Sequence, residues 1–297
     1  MRMLVAVDVS DRGEAVVDQV VPWARRFGAR MDLVFSSEWS TEGLPAPTWT
    51  SDELDRIWAH WKQEAEVERG KLAALLGRVP EDVRGEMRML AGHAVETLPD
   101  ASDGYDLLVL ATHARAGLER VLFGSVSNRV LRHARVPVMV VGLGDPMPAP
   151  EGQLMVIAPT EESDGGALPW IAESLKGAKV ELLHVLPSGP GSPAWVLGRP
   201  RAPGVIPSRD AVRDLIAERA TAYGFPGATV HVVDRDGSNA GDTIARVAHD
   251  LSADLVVLPS HHRTGLDRAL LGSVAERVAE RVPCPVIVVP YAMVAPT

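Results

Sequence analysis

The chain writes one stretch twice. Residues 106–141 and 254–289, laid over each other without a gap at an offset of 148, agree at nineteen of thirty-six positions. Asp106/Asp254, His113/His261, Arg115/Arg263, Gly117/Gly265, Gly124-Ser125/Gly272-Ser273 and Pro137-Val138/Pro285-Val286 are among the matches. The offset is close to half of the 297 residues. A period this long marks a duplicated domain, because solenoid units repeat every ~20–50 residues.

Each copy reads in the same order. An unbroken apolar run, Leu107 to Leu110 or Leu255 to Leu258, has the pattern of a strand buried on both faces. A loop follows, and Gly-Ser then stands where a helix should begin. Serine is a preferred N-cap, and Ser273 with Glu276 has capping-box spacing. A Pro-led run of mostly β-branched residues, Pro137 to Val141 or Pro285 to Val289, reads as the next strand. Unpaired N–H groups and the positive end of the helix dipole make such a helix start a place where phosphate can be held.

Strand and helix signals alternate through both halves. Strands are expected at residues 3–7, 31–36 and 83–90, with helices at 11–27, 52–76 and 93–101. The second half repeats the plan with strands at 154–158, 179–185 and 228–234 and helices at 163–176, 208–223 and 240–251. Alternation of this kind calls for a parallel sheet with helices on both faces. The expected fold is α/β: two tandem doubly wound domains, 1–142 and 153–291, each a five-stranded parallel sheet flanked by helices. The Pro-rich segment 142–152 is the linker. A Gly- and Pro-rich stretch from Pro187 to Pro207, carrying Arg199 and Arg201, is expected to be a mobile loop.

Composition narrows the function classes. A net charge of −9 argues against nucleic acid or an anionic membrane as the main partner. The single cysteine, Cys284, excludes an internal disulfide and reads as a small buried thiol between two prolines. The first eight residues do not form a signal peptide, and no apolar run reaches the ~18–20 residues of a membrane span. A cytoplasmic protein is expected.

On these residues the chain resembles a tandem universal stress protein, two such domains fused. The resemblance implies an adenine nucleotide alpha hydrolase-like fold. In the family's ATP-binding branch an Asp ends the first strand, and G-x-x-G, nine residues, then G-[ST] follow the fourth. Here Val7-Asp8 and Gly124-Ser125 match, whereas Ala111 and Ala114 stand at the two glycines. The second half departs further, with Pro159 read at the Asp position and Pro259 and His262 at the glycines. The implied cofactor is ATP or another adenine nucleotide in the first domain. Asp8 would accept a hydrogen bond from the base or ribose, and Ser36 would offer backbone groups to the base. Ala114, Gly124, Ser125 and Val126 would wrap the phosphates beside His113 and Arg115. If the loop needs glycine's positive φ, Ala111→Gly with Ala114→Gly should tighten binding.

Simpler roles stand beside these. Asp8 and Gly-Ser serve equally as local caps, His113 and Arg115 as solvated loop residues, and Trp58 and Trp61 as core or an interdomain contact. His261-His262 lacks a further ligand at metal spacing, so no metal is implied beyond a nucleotide-associated Mg. No nucleophile–base–orienter set and no Walker lysine are visible, which leaves at most slow ATP hydrolysis. The alternative function is a scaffold or non-nucleotide binding module using the pocket or basic loop of the second domain. Pro137–Val141 and Pro285–Val289 are expected edge strands that pair domains, within the chain or in a homodimer.

Overall fold

The computed structural model describes residues 1–39, 52–114, 121–122, 125–143, 149–160, 167–186, 195–196, 199–200, 208–235, 239–260, 273–290 and 293. The first half contains β1 (Arg2–Ala6), α1 (Asp11–Arg26), β2 (Arg30–Ser37), α2 (Asp52–Arg78), β3 (Arg84–Ala91), α3 (Ala94–Ala101), β4 (Leu107–Ala114), the short β5 (Val121–Leu122), α4 (Ser125–His133) and β6 (Val138–Leu143). The second contains β7 (Met155–Pro159), α5 (Leu168–Ser174), β8 (Lys179–Leu186), β9 (Trp195–Val196), β10 (Arg199–Pro200), α6 (Arg209–Ala222), β11 (Thr229–Asp234), α7 (Ala240–Asp250), β12 (Leu255–Pro259), α8 (Ser273–Arg281) and β13 (Val286–Val289).

Local chemistry accounts for the elements. Helix α1 starts at Ser10, whose hydroxyl accepts the Arg12 N–H at 3.3 Å, with Asp11 and Glu14 in its first turn and Arg25 and Arg26 in its last. Alternate residues of each strand enter two separate apolar layers. Met3, Val5, Leu107 and Val109 join the side chains of α1, α2, α5 and α6. Leu4, Leu108 and Leu110 join those of α3, α4, α7 and α8. Period-two side-chain alternation thus divides one sheet between two helical layers.

Strand order across the sheet is β11-β8-β7-β12-β13-β6-β4-β1-β2-β3, with β5 attached to β4. Each half has the doubly wound order 3-2-1-4-5, and all pairings within that order are parallel. The two Pro-led strands join the halves: β13 runs antiparallel to β6, with Val286 opposite Val140, Ile287 opposite Met139 and Val288 opposite Val138. Met139 and Ile287 are equivalent positions of the repeat, so a pseudo-two-fold passes through that pair. Both edge strands named for pairing are therefore satisfied inside one chain. Among the described residues the outermost strands of the sheet are β3 and β11.

The repeated aspartates have a structural job. Asp106 accepts the Arg2 N–H at 2.6 Å, and Asp254 accepts the Met155 N–H at 2.7 Å, each tying the start of its half's first strand to the fourth. Cys284 is buried, and burial pushes its thiol up to about 12. Trp58 and Trp61 do not enter the core. Their ring centroids lie 6.2 Å apart, and Trp39 packs against Trp61 at 6.5 Å. Of the stretch from Pro187 to Pro207, only the antiparallel pieces β9 and β10 are described, so the expected mobile loop lies otherwise outside the described residues.

Candidate functional site

Between β1 and β4 the strand order reverses. The chain leaves β1 toward α1 on one face and approaches α4 on the other, which opens a crevice beyond the strands' carboxyl ends. A cavity of about 550 Å³ occupies it. Its apolar wall comes from Val7, Val16, Val34, Phe35, Leu98 and Leu110, and its polar groups from Asp8, Arg12, Ser36, Thr112 and Ser127. That composition, a largely apolar slot with a few convergent polar groups, is typical of small-molecule sites.

Asp8 does two things. Its Oδ1 accepts the Ser10 N–H at 3.0 Å, the local capping role open to any Asp after a strand. Among the described residues no hydrogen bond is made to its Oδ2, and the side chain is exposed at the cavity mouth. Close packing sets the loop's position. A Cβ on Gly13 would lie 2.0 Å from the Asp8 carbonyl oxygen and 2.8 Å from Leu75 Cδ1, so only glycine lets α1 pass this near.

At Ser36 the ladder from β1 has ended. Ala6 pairs with Val34, the Val7 N–H donates to the Val34 carbonyl at 3.0 Å, and β2 continues along β3 alone. The backbone of Ser36 is thus outside the β1 ladder, as an approach to a base would require, while its hydroxyl is engaged with Thr97 Oγ1 at 2.8 Å.

Ala111 lines the cavity, but the expectation of a loop that needs glycine at 111 and 114 is corrected. Both belong to β4, where Ala111 pairs with Val141 and Ala114 with Val121. Among the described residues Ser252 is the only non-glycine with positive φ. Extended backbone suits alanine, so the strain argument for glycine at these positions fails. Of the remaining expected contacts, Val126 lines the cavity in the first turn of α4, and Ser125 opens that helix. His113 lies in β4, and its side chain and that of Ser125 are outside the described residues, as are Arg115 and Gly124 altogether.

Sequence reasoning missed Ser127, Arg12 and Thr112. Ser127 is buried and follows Val126 into the cavity wall. One signal for it existed: the repeat has Ala275 at the same place. Arg12 gave none, because its approach to the cavity depends on how α1 packs.

Strand register also corrects the reading of the second half. Met3 pairs with Leu107 and Val156 with Leu255, and since Leu107 and Leu255 are equivalent, so are Met3 and Val156. Counting on, Pro159 corresponds to Ala6, Thr160 to Val7 and Glu161 to Asp8. The matching bonds Val7 N–H to Val34 O and Thr160 N–H to Leu183 O bear this out. Pro159 is therefore not the counterpart of Asp8, and Glu161, which is by count, lies outside the described residues. Elsewhere the crevice differs. His184 replaces Phe35, with Nδ1 3.1 Å from the Thr160 carbonyl, and burial holds the imidazole below its ordinary pKa and hence neutral. Val185 replaces Ser36, Pro259 replaces Ala111, and Ala275 replaces Ser127.

Strand order and helix placement define a doubly wound α/β domain, present twice in one chain, with a cavity at the switch point of the first. The chain belongs to the universal stress protein family, whose model matches residues 1–142 and 154–290. A universal stress protein of Mycolicibacterium smegmatis is 28% identical over 297 residues, spanning 97% of this chain and 96% of that protein. Universal stress protein E of Escherichia coli is 30% identical over 203 residues, 63% of this chain and 61% of its own length. The crystal structure of a universal stress protein from Archaeoglobus fulgidus shares the fold, with a TM-score of 0.67 at 20% identity over 97% of this chain and 98% of that one. No helix among the described residues is long and apolar enough to cross a membrane.

Proposed function

We propose that this universal stress protein binds ATP or another adenine nucleotide in its first domain, and works by binding in stress response or signalling rather than by turnover. The observation that carries this reading is the cavity itself. Asp8, Ser36 and, in the first turn of α4, Val126 and Ser127 line one largely apolar cavity, which supports a base held in the slot with phosphate near the start of that helix. The first turn of the nine-residue helix α4, which carries Val126 and Ser127 of the cavity wall, would offer N–H groups and a positive dipole to phosphate. The second domain, with His184, Val185 and Pro259 at the corresponding points, is not expected to take the same ligand.

The test is direct. Small molecules released from purified protein by denaturation are identified by absorbance and mass, and ATP is titrated by calorimetry. One nucleotide per chain is expected. Two per chain, or none at millimolar ATP, would overturn the reading.

A further inference from the structure

The wall of the first domain's cavity and the junction between domains are parts of one helix. Val126 and Ser127 of α4 line the cavity. The next residue, Asn128, donates from Nδ2 to Glu276 Oε1 on α8 at 2.8 Å. Its Oδ1 accepts from Arg132 Nε at 2.8 Å. Because an arginine nitrogen only donates, the amide oxygen must face Arg132, which leaves the amide nitrogen for Glu276.

Asn128 and Glu276 are equivalent positions of the repeat, facing each other across the pseudo-two-fold. Glutamate in both halves would set two carboxylates, acceptors only, opposite each other. Divergence of the halves instead places a donor against an acceptor.

Glu276 has a fixed base. Arg277 Nε donates to Asp242 Oδ1 on α7 at 2.8 Å. Gly241 allows the two helices to touch, since a Cβ there would lie 2.6 Å from Arg277 Cβ. Helix α8 also contacts β5, which pairs with the end of β4 at His113 and Ala114.

We propose that Glu276 of the second domain is a positioning residue for the first domain's cavity: through Asn128 it holds the first turn of α4. The ligand arm of this inference rests on the nucleotide reading above. A ligand that orders the first turn of α4 must then, by reciprocity, stabilise the contact between domains.

The experiment uses the full chain, with Glu276→Ala and Glu276→Gln beside wild type. Amide hydrogen exchange over residues 125–130 is measured without ligand, and ATP is then titrated. Glu276→Ala should raise exchange over 125–130, with helices other than α4 and the first turn of α8 unchanged, and weaken ATP about three- to ten-fold, the effect of losing one hydrogen bond. Glu276→Gln keeps an acceptor oxygen and should restore both. Unchanged exchange in the alanine variant, or glutamine behaving like alanine, would overturn the proposal. So would increased exchange spread through the whole domain, which marks general destabilisation. Should wild type bind no ATP, the nucleotide reading fails alone, because the exchange arm still decides whether Glu276 positions α4.

Discussion

Gly13→Ala is the most informative single substitution in the first domain. The added Cβ would stand 2.0 Å from the Asp8 carbonyl oxygen, about 1 Å closer than Cβ atoms come to other atoms in folded proteins, and the obstructing atom is backbone. Leu75 Cδ1, 2.8 Å away, can rotate; the β1–α1 connection or the helix itself must move. Overpacking costs about 1–3 kcal/mol, and contact with backbone on a buried face puts this case in the upper part of that range. Alanine's better helix propensity offsets about 1 kcal/mol. The net loss is about 1–2 kcal/mol, a melting midpoint several degrees lower. If Asp8 holds nucleotide as proposed, displacing it should also weaken ATP by about 1.5–3 kcal/mol, the range for hydrogen bonds to charged groups. Thermal unfolding and calorimetry give both numbers. Gly70→Ala in α2 is the control: a Cβ there meets nothing within 4 Å, and it should stabilise by about 0.5–1 kcal/mol. A Gly13→Ala protein as stable as the Gly70 variant, with unaltered ATP binding, would refute the packing argument.

Three further outcomes are expected. Asp8→Ala should weaken ATP by about 1.5–3 kcal/mol, whereas Asp8→Asn, which retains an oxygen for the Ser10 N–H, should bind intermediately while folding normally; equal affinity in all three proteins by calorimetry would remove Asp8 from the site. Ala111→Gly with Ala114→Gly should bring no gain in ATP affinity and cost up to about 1 kcal/mol each in stability, because glycine weakens a strand; tighter binding would show that β4 must bend to receive phosphate. Burial alone would raise the Asp32 carboxyl, but the Glu86 N–H, the Tyr105 hydroxyl and Arg2 outweigh it and hold its pKa below the ordinary 3.8. Such a group contributes stability fully above its unfolded pKa and loses it as pH falls through the lower folded value. Urea unfolding of Asp32→Asn should therefore be weaker near neutrality and lose less on acidification below about pH 4 than wild type; an identical acid slope would exclude Asp32 as a contributor.

Much of the fold was legible because burial writes short-range patterns. A strand covered on both faces must be apolar throughout, as Leu107 to Leu110 are, and a helix starts readily where a serine such as Ser10 or Ser208 can serve as cap. The duplication and the ten strands of the two doubly wound orders follow from such patterns, whereas Asp8 as a site residue was implied by the resemblance to the family. Residue count could not settle register. By register Pro159 corresponds to Ala6 and not to Asp8, because the first strand of the second half enters the sheet by its pairing with β12, a contact far away in sequence. The same holds for Ala111 and Ala114, where the length of β4 is decided by β6 and β5 beside it, and not by a glycine motif. What only the tertiary structure decided are the long-range approaches: β6 against β13 in one chain, Gly13 against Asp8, and Asn128 against Glu276. Each depends on how whole helices and strands pack, and a side chain's own neighbours in sequence carry no record of that.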